Sequence, residues 1–433
     1  MSSRDAHTFA WKHLVQLFGP RQWATRVLSA VFHRQKNAVV FLPHHGGPDD
    51  VFRLVNHVLA HSSPTAFDRA RWTPLTVPSA GDIPAKDYLW SVLGSPESEP
   101  TPPTDLRHFW LAPRFQGKVI WLRGLTCANW PAWLDLLKTY HPLAANYDDE
   151  NRPVFCLPLT GELGYHAPAD PSFENCEWIG ASDWKNAVDW SDTLFFVSSS
   201  LRQRRFDDSL FQPTPLEEQL ATMIVTNLAR WDLPLASELA SAASLDEIFD
   251  PLPTLVRVAQ RRRWTKENLK SPEWSEGMTE RRYAVDPRHW SACLLALSDD
   301  PTDRNRHELR RRIWGAEVGV LFPYVDDWRK RLVHSYADYL RVPYPDEYDP
   351  VTKKKKKPDR FRTNDKLALE VGHLLEQYRE PGSTLYGRLV EPESLLIELR
   401  DVRNELCHRG PLSDSVCDQH GSFRRLLARY DKL

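Results

Sequence analysis

The chain has 433 residues, enough for two or three domains and a sizeable core. Its formal net charge of −2 gives no global electrostatic ground for binding nucleic acid or an anionic membrane, so only local clusters can supply one. The six cysteines (Cys127, Cys156, Cys176, Cys293, Cys407, Cys417) lack any C-x2-C spacing, which excludes an evident zinc or disulfide framework and suits a reduced, cytoplasmic chain.

From the amino terminus, residues 8–34 read as two helices broken at Gly19-Pro20, with no signal-peptide core before them. No run approaches the ~20 apolar residues of a membrane span. Ala38 to Leu42 (AVVFL) is short, apolar and β-branched, as a buried strand should be. The loop Pro43-His44-His45-Gly46-Gly47-Pro48 follows, then Asp49, Asp50 and an apolar helix over Val51 to Leu59. Strand, glycine loop and helix in that order form the layout of a phosphate-binding unit. The lysine and hydroxyl of G-x4-G-K-[ST] are absent, however, and two carboxylates there would repel a triphosphate. The single Gly-Lys pair, Gly117-Lys118, precedes a strand instead of opening a helix. ATP hydrolysis by the usual route is therefore not expected. Adjacent His44 and His45 have no matching cluster, so neither a metal nor any other cofactor is expected.

Further strands are expected at Lys118 to Leu122, Val154 to Leu159 and Thr193 to Val197, with a helix from about Trp130 to Tyr140. Alternation of strands and helices predicts a parallel sheet covered on both faces. From Thr214 the pattern turns helical. Pro215, Glu217 and Glu218 open one helix and Leu233 to Ala243 forms another. Ile313 to Pro323 and Tyr324 to Tyr339 read as a helix pair with a proline break. The arginine triplets at 261–263 and 310–312 fit either RNA contact or solvated helix faces. Lys353 to Lys357 mark a linker that either holds an RNA backbone or keeps a hinge soluble.

After the linker, Leu367 to Gln377 reads as a helix with an apolar face of Leu367, Val371, Leu374 and Leu375, and Phe423 to Tyr430 as a final one. Between them Leu395, Leu399, Val402 and Leu406 recur at helical spacing, and Gly410-Pro411 stops the run. Arg403-Asn404-Glu405-Leu406-Cys407-His408 lies at the end of this helix. Histidine there can exchange protons near neutral pH, and a guanidinium can meet two phosphate oxygens. Five residues at ~100° each would place Arg403 and His408 about 140° apart on one continuous helix. The competing account is a solvated arginine and a capping histidine.

The string R-N-E-L-C-H resembles the Arg-x4-His motif of the HEPN family, over roughly the last 70 residues. The resemblance implies an all-α bundle that cleaves RNA without metal, with Arg403 stabilising the phosphate, Asn404 positioning and His408 moving protons. It also implies a homodimer in which two motifs share one cleft. The order of strands and helices over residues 30–345 loosely resembles the nucleotide-binding core of STAND-type signalling ATPases, in a version without its phosphate-binding lysine. Modules of that kind occur in prokaryotic defence systems, where they sense or dock a partner protein. The expected organisation is an α/β P-loop-like domain with a degenerate phosphate loop (1–212), a helical extension (213–350), a lysine-rich linker (351–366) and a HEPN-like bundle (367–433). The expected function is a toxin-like ribonuclease. The other classes are a non-enzymatic scaffold that dimerises through its C-terminal part, and a nucleic-acid binder acting through the basic clusters.

Overall fold

A computed structural model of the chain describes residues 15–42, 48–61, 70–78, 83–94, 101–144, 151–160, 163, 176–179, 190–273, 278–280, 285–300, 302–342, 366–380, 382–386, 388–389 and 393–407. They form two compact units. One is drawn from Met1–Phe196, Ala229–Glu238 and Leu255–Asp300, the other from Val197–Leu228, Leu239–Thr254 and Pro301–Leu433.

The first unit is built on a five-stranded sheet, β1 (Asn37–Leu42), β2 (Trp72–Thr76), β3 (Val119–Arg123), β4 (Val154–Thr160) and β5 (Cys176–Ile179), in the order β2-β3-β4-β1-β5. Every pairing is parallel. The connection from β1 to β2 runs one way across the sheet and the later connections run the other. Right-handed crossovers then place helices on both faces. Both faces are accordingly apolar. Ala38, Val39 and Val40 of β1 and Val119 to Leu122 of β3 are fully buried.

Successive side chains of β3 divide between the faces. Trp121 packs on Phe52 and Trp72 at 5.7 and 5.6 Å between ring centroids. Ile120 and Leu122 join the opposite core with Trp90, Phe109, Trp110, Trp133, Tyr140 and Phe155. Trp110 is the centre of that cluster, 4.9 Å from both Phe109 and Tyr140, with its indole N–H donating to Thr139 Oγ1 (3.1 Å). Trp90, Trp110, Trp121 and Trp133 are thus all absorbed into the packing of the sheet.

Several expectations change. Thr193 to Val197 is not a strand but part of the helix Trp190–Asp207. Val197 and Leu201 are buried one helical turn apart while Phe195 is exposed, a period that a five-residue apolar run does not reveal. The strands missed are β2 and β5, which are short and lie at the sheet edges. Pro74 within β2 is tolerated because an edge strand needs no N–H on its outer side. Pro158 in β4 also costs no ladder bond, since β3 pairs with β4 only as far as Cys156. The Gly19-Pro20 break lies inside the first turn of the helix Phe18–Leu28. Proline is accepted there because the first N–H groups are unpaired in any case. Residues 1–14, with most of the first expected helix, lie outside the described residues.

The second unit is helical. The proline break at 323 does not occur: Arg304–Ser335 is one helix of 32 residues with Pro323 inside. Proline costs an internal hydrogen bond, but burial on both sides of it offsets the loss. Ala316, Val320 and Leu321 are buried before it, and Val325, Trp328, Leu332 and Val333 after it. The expected helix at 367–377 is a 3-10 turn at Lys366–Ala368 followed by the helix Val371–Arg379, with Leu367 exposed and Leu369 buried instead. A single core joins Val325 to Leu340 with Leu369, Val371, Leu374, Leu375, Leu385, Leu395, Leu396 and Leu399. The C-terminal helices therefore share their interior with residues before the lysine-rich linker. Of that linker only Lys366 is described.

Candidate functional site

The helix Glu393–Cys407 carries Arg403 and Asn404 near its end. Leu395, Leu399 and Leu406 are buried as the spacing predicts, and Val402 is half-buried. This face fixes the helix and turns Arg403 and Asn404 to a half-exposed surface. Arg403 Nη2 donates to Glu370 Oε1 at 2.7 Å, and Nη1 donates to Asn404 Oδ1 at 3.3 Å. The Arg403 side chain is 34% exposed and that of Glu370 52%. Leu406 O accepts from Trp314 Nε1 at 2.9 Å, so one of the carbonyls left over at the helix end is satisfied by a tryptophan. His408, like Gly410-Pro411 and the expected helix 423–430, lies outside the described residues.

Sequence reading did not single out Glu370, the partner of Arg403, or His373, which bonds to Glu370. Glu370 caps the helix Val371–Arg379, its side chain accepting from the backbone of His373. His373 Nδ1 in turn accepts from the Glu370 N–H at 3.1 Å. Nδ1 is therefore occupied as an acceptor, and the neutral ring carries its proton on Nε2. The string E-V-G-H has capping spacing, which is a local signal. Its pairing with an arginine 33 positions later is not. The donors around the Glu370 carboxylate are the Arg403 guanidinium and the His373 backbone N–H, a pair suited to an oxyanion.

In the first unit, the carboxyl edge of a parallel sheet is where ligands bind in open α/β folds. The loop 43–47 with His44 and His45 lies outside the described residues. Arg123, the last residue of β3, lays its guanidinium over the Phe52 ring of the helix Pro48–His61, 4.7 Å from the centroid. Gly124 follows at φ +81°, where a Cβ would lie 3.3 Å from the Val77 carbonyl oxygen, so the turn needs glycine. Asn129 Oδ1 accepts from the Thr126 N–H (2.7 Å) and its amide donates to Gly124 O (3.1 Å), closing the same turn. Gly117-Lys118 stands at the opposite edge, where Gly117 N–H donates to Asn151 O (2.9 Å) before β3 begins.

Each arginine triplet has one interior member, Arg262 or Arg312. Arg262 makes a two-pronged bond to Asp232, 2.5 and 2.9 Å, with side chains only 11% and 9% exposed. Arg261 pairs with Glu238 at 2.6 Å, and Arg311 and Arg312 both bind Glu308. Burial pushes the thiol of Cys293, beside the Arg262–Asp232 pair, up to about 12. An open pocket of about 410 Å³ near Trp90 and His108 contains one guanidinium, Arg114, which donates to the Trp90 carbonyl at 2.6 Å. Among the described residues no group of three His, Cys, Asp or Glu side chains could hold a metal ion. No helix among them is long and apolar enough to cross a membrane. Comparison of the chain with family models, curated proteins and solved structures yields no match.

Proposed function

We propose that the protein is a cytoplasmic, metal-independent endoribonuclease of the HEPN type, serving a prokaryotic defence or conflict system, whose active residues are Arg403, Asn404 and His408. The observation that supports this most is the state of Arg403. It is half-exposed at a helix end, oriented by Asn404, and bound to an exposed carboxylate. A phosphodiester offers the same guanidinium two oxygens in place of that carboxylate. In the reaction, a base takes the proton of the ribose 2′-hydroxyl and the 2′-oxygen bonds to phosphorus. The P–O5′ bond breaks, and the leaving oxygen takes a proton. The products are a 2′,3′-cyclic phosphate and a 5′-hydroxyl. His408 moves these protons, and Arg403 meets the charge that grows on the phosphate oxygens. Two chains, paired through their C-terminal parts, place two motifs at one cleft. The sheet unit serves as an inactivated nucleotide-fold module that senses or docks a partner protein.

A second reading is a non-enzymatic scaffold, favoured by the ion pair that already holds Arg403. The deciding assay is cleavage of RNA in EDTA by the full chain beside Arg403→Ala and His408→Ala. Cyclic phosphate ends from wild type, with losses of about 10²–10⁴ in both variants, support the nuclease. Undiminished cleavage by either variant overturns the site. Intact RNA with wild type, under conditions in which the chain is dimeric, leaves the scaffold.

A further inference from the structure

The geometry points to a tyrosine–arginine face in the second unit, formed by exposed Tyr386 and Arg388 beside half-buried Tyr339 and Tyr378, as a stacking surface for single-stranded RNA. The inference rests on the reading of this unit as one that takes RNA, and supplies the substrate surface that Arg403 alone does not. Three segments build the face. Gln377 fastens the first, accepting from the Arg341 N–H at 3.0 Å and donating to the Arg341 carbonyl at 3.3 Å. This lays residues 339–341 along the helix Val371–Arg379. Thr384 Oγ1 donates to the Tyr339 carbonyl at 3.2 Å and brings in the third segment. The Tyr378 and Tyr386 rings then meet at 5.4 Å, and the Arg388 guanidinium lies 5.6 Å from the Tyr339 ring centroid.

Tyr386 is 69% exposed and is not among the buried residues of the leucine core, so most of its ring remains open to a ligand. Aromatic rings with an arginine among them suit unpaired bases, which stack on the rings while the cation meets the backbone. Base stacking is indifferent to sequence, so the surface takes single strands of any composition and has no use for a duplex, whose bases are already stacked. Position adds a second argument. Glu370, the partner of Arg403, opens the helix that carries Tyr378 eight residues later, about 12 Å along its axis and about 80° around it. A strand stacked on the tyrosines therefore passes within reach of Arg403.

The test is fluorescence anisotropy of a labelled 2′-O-methyl oligouridylate of about ten nucleotides, which has no attacking hydroxyl, with the full chain. Tyr386→Ala should bind about five- to hundredfold more weakly, while Tyr386→Phe keeps wild-type affinity. Arg388→Ala should lower the salt slope of log K by about one. Equal affinity for wild type and Tyr386→Ala, at matched thermal midpoints, overturns the inference, as does absence of binding by wild type. Tyrosine-dependent binding by a chain that leaves ordinary RNA intact keeps the surface and removes the nuclease.

Discussion

Two arginines, one in each unit, show how burial decides what a guanidinium does. Arg262 lies in the interior of the sheet unit, held by both oxygens of Asp232, which also accepts from the Leu235 N–H at 3.1 Å. Burial works against its charge, but the facing carboxylate outweighs burial and keeps Arg262 charged. Such a pair is an internal brace. Arg403 has one bond to a carboxylate that is itself half in water, and a second to an amide. Exchange of that partner for another anion costs little, because water already competes for it. The same residue type is structural in one setting and available for chemistry in the other.

The largest expected break of this contrast is Asp232→Ala. It strands the buried Arg262 charge and should lower unfolding stability by about 3–5 kcal/mol in denaturant titration, whereas Arg403→Ala should change it by under about 1 kcal/mol. A smaller effect is expected from acid, through Glu308. Burial raises its pKa, yet the hydrogen bonds and charges of Arg311 and Arg312 outweigh burial and hold the carboxyl below its usual 4.5. The unfolded chain therefore takes the proton more readily. The stabilisation is present above about pH 4.5 and is lost as pH falls through the lower folded value. Thermal midpoints measured from pH 6 to 3 should drop more steeply for wild type than for Glu308→Gln. An identical pH slope would mean that the Glu308 cluster contributes nothing. The smallest change is Glu370→Gln, which keeps a cap acceptor for the helix Val371–Arg379 but removes the negative charge that faces Arg403. Cleavage should rise by up to about fivefold, the worth of an exposed ion pair. A fall in cleavage would instead make Glu370 part of the working site.

Much of this was legible in the chain, for identifiable reasons. The central strands β1, β3 and β4 carry continuous apolar runs because both of their faces are covered, and such runs stand out. Edge strands β2 and β5 are partly polar or proline-bearing and do not stand out. Thr193 to Val197 misled because an apolar run of five has no period to measure. Pro323 misled because the cost of a proline is local, whereas the burial that offsets it comes from neighbours distant in sequence. At the site, the Leu395–Leu399–Leu406 face and the exposure of Arg403 follow from spacing alone. The partners do not: Glu370 and Trp314 lie 33 and 92 residues from the atoms they bind.

The sequence by itself determined the elements whose pattern is periodic or uniformly apolar, and the placement of Arg403 and Asn404 at the end of an amphipathic helix. Only the tertiary structure decided that residues before the lysine-rich linker share a core with those after it. It alone decided that Arg262 and Arg312 are interior while Arg403 is not, and that Tyr378 meets Tyr386 while Tyr339 meets Arg388. The physical reason is common to all three. Period and propensity report what one element buries, whereas the dielectric around a charge and the company of a ring depend on which distant segments arrive beside them.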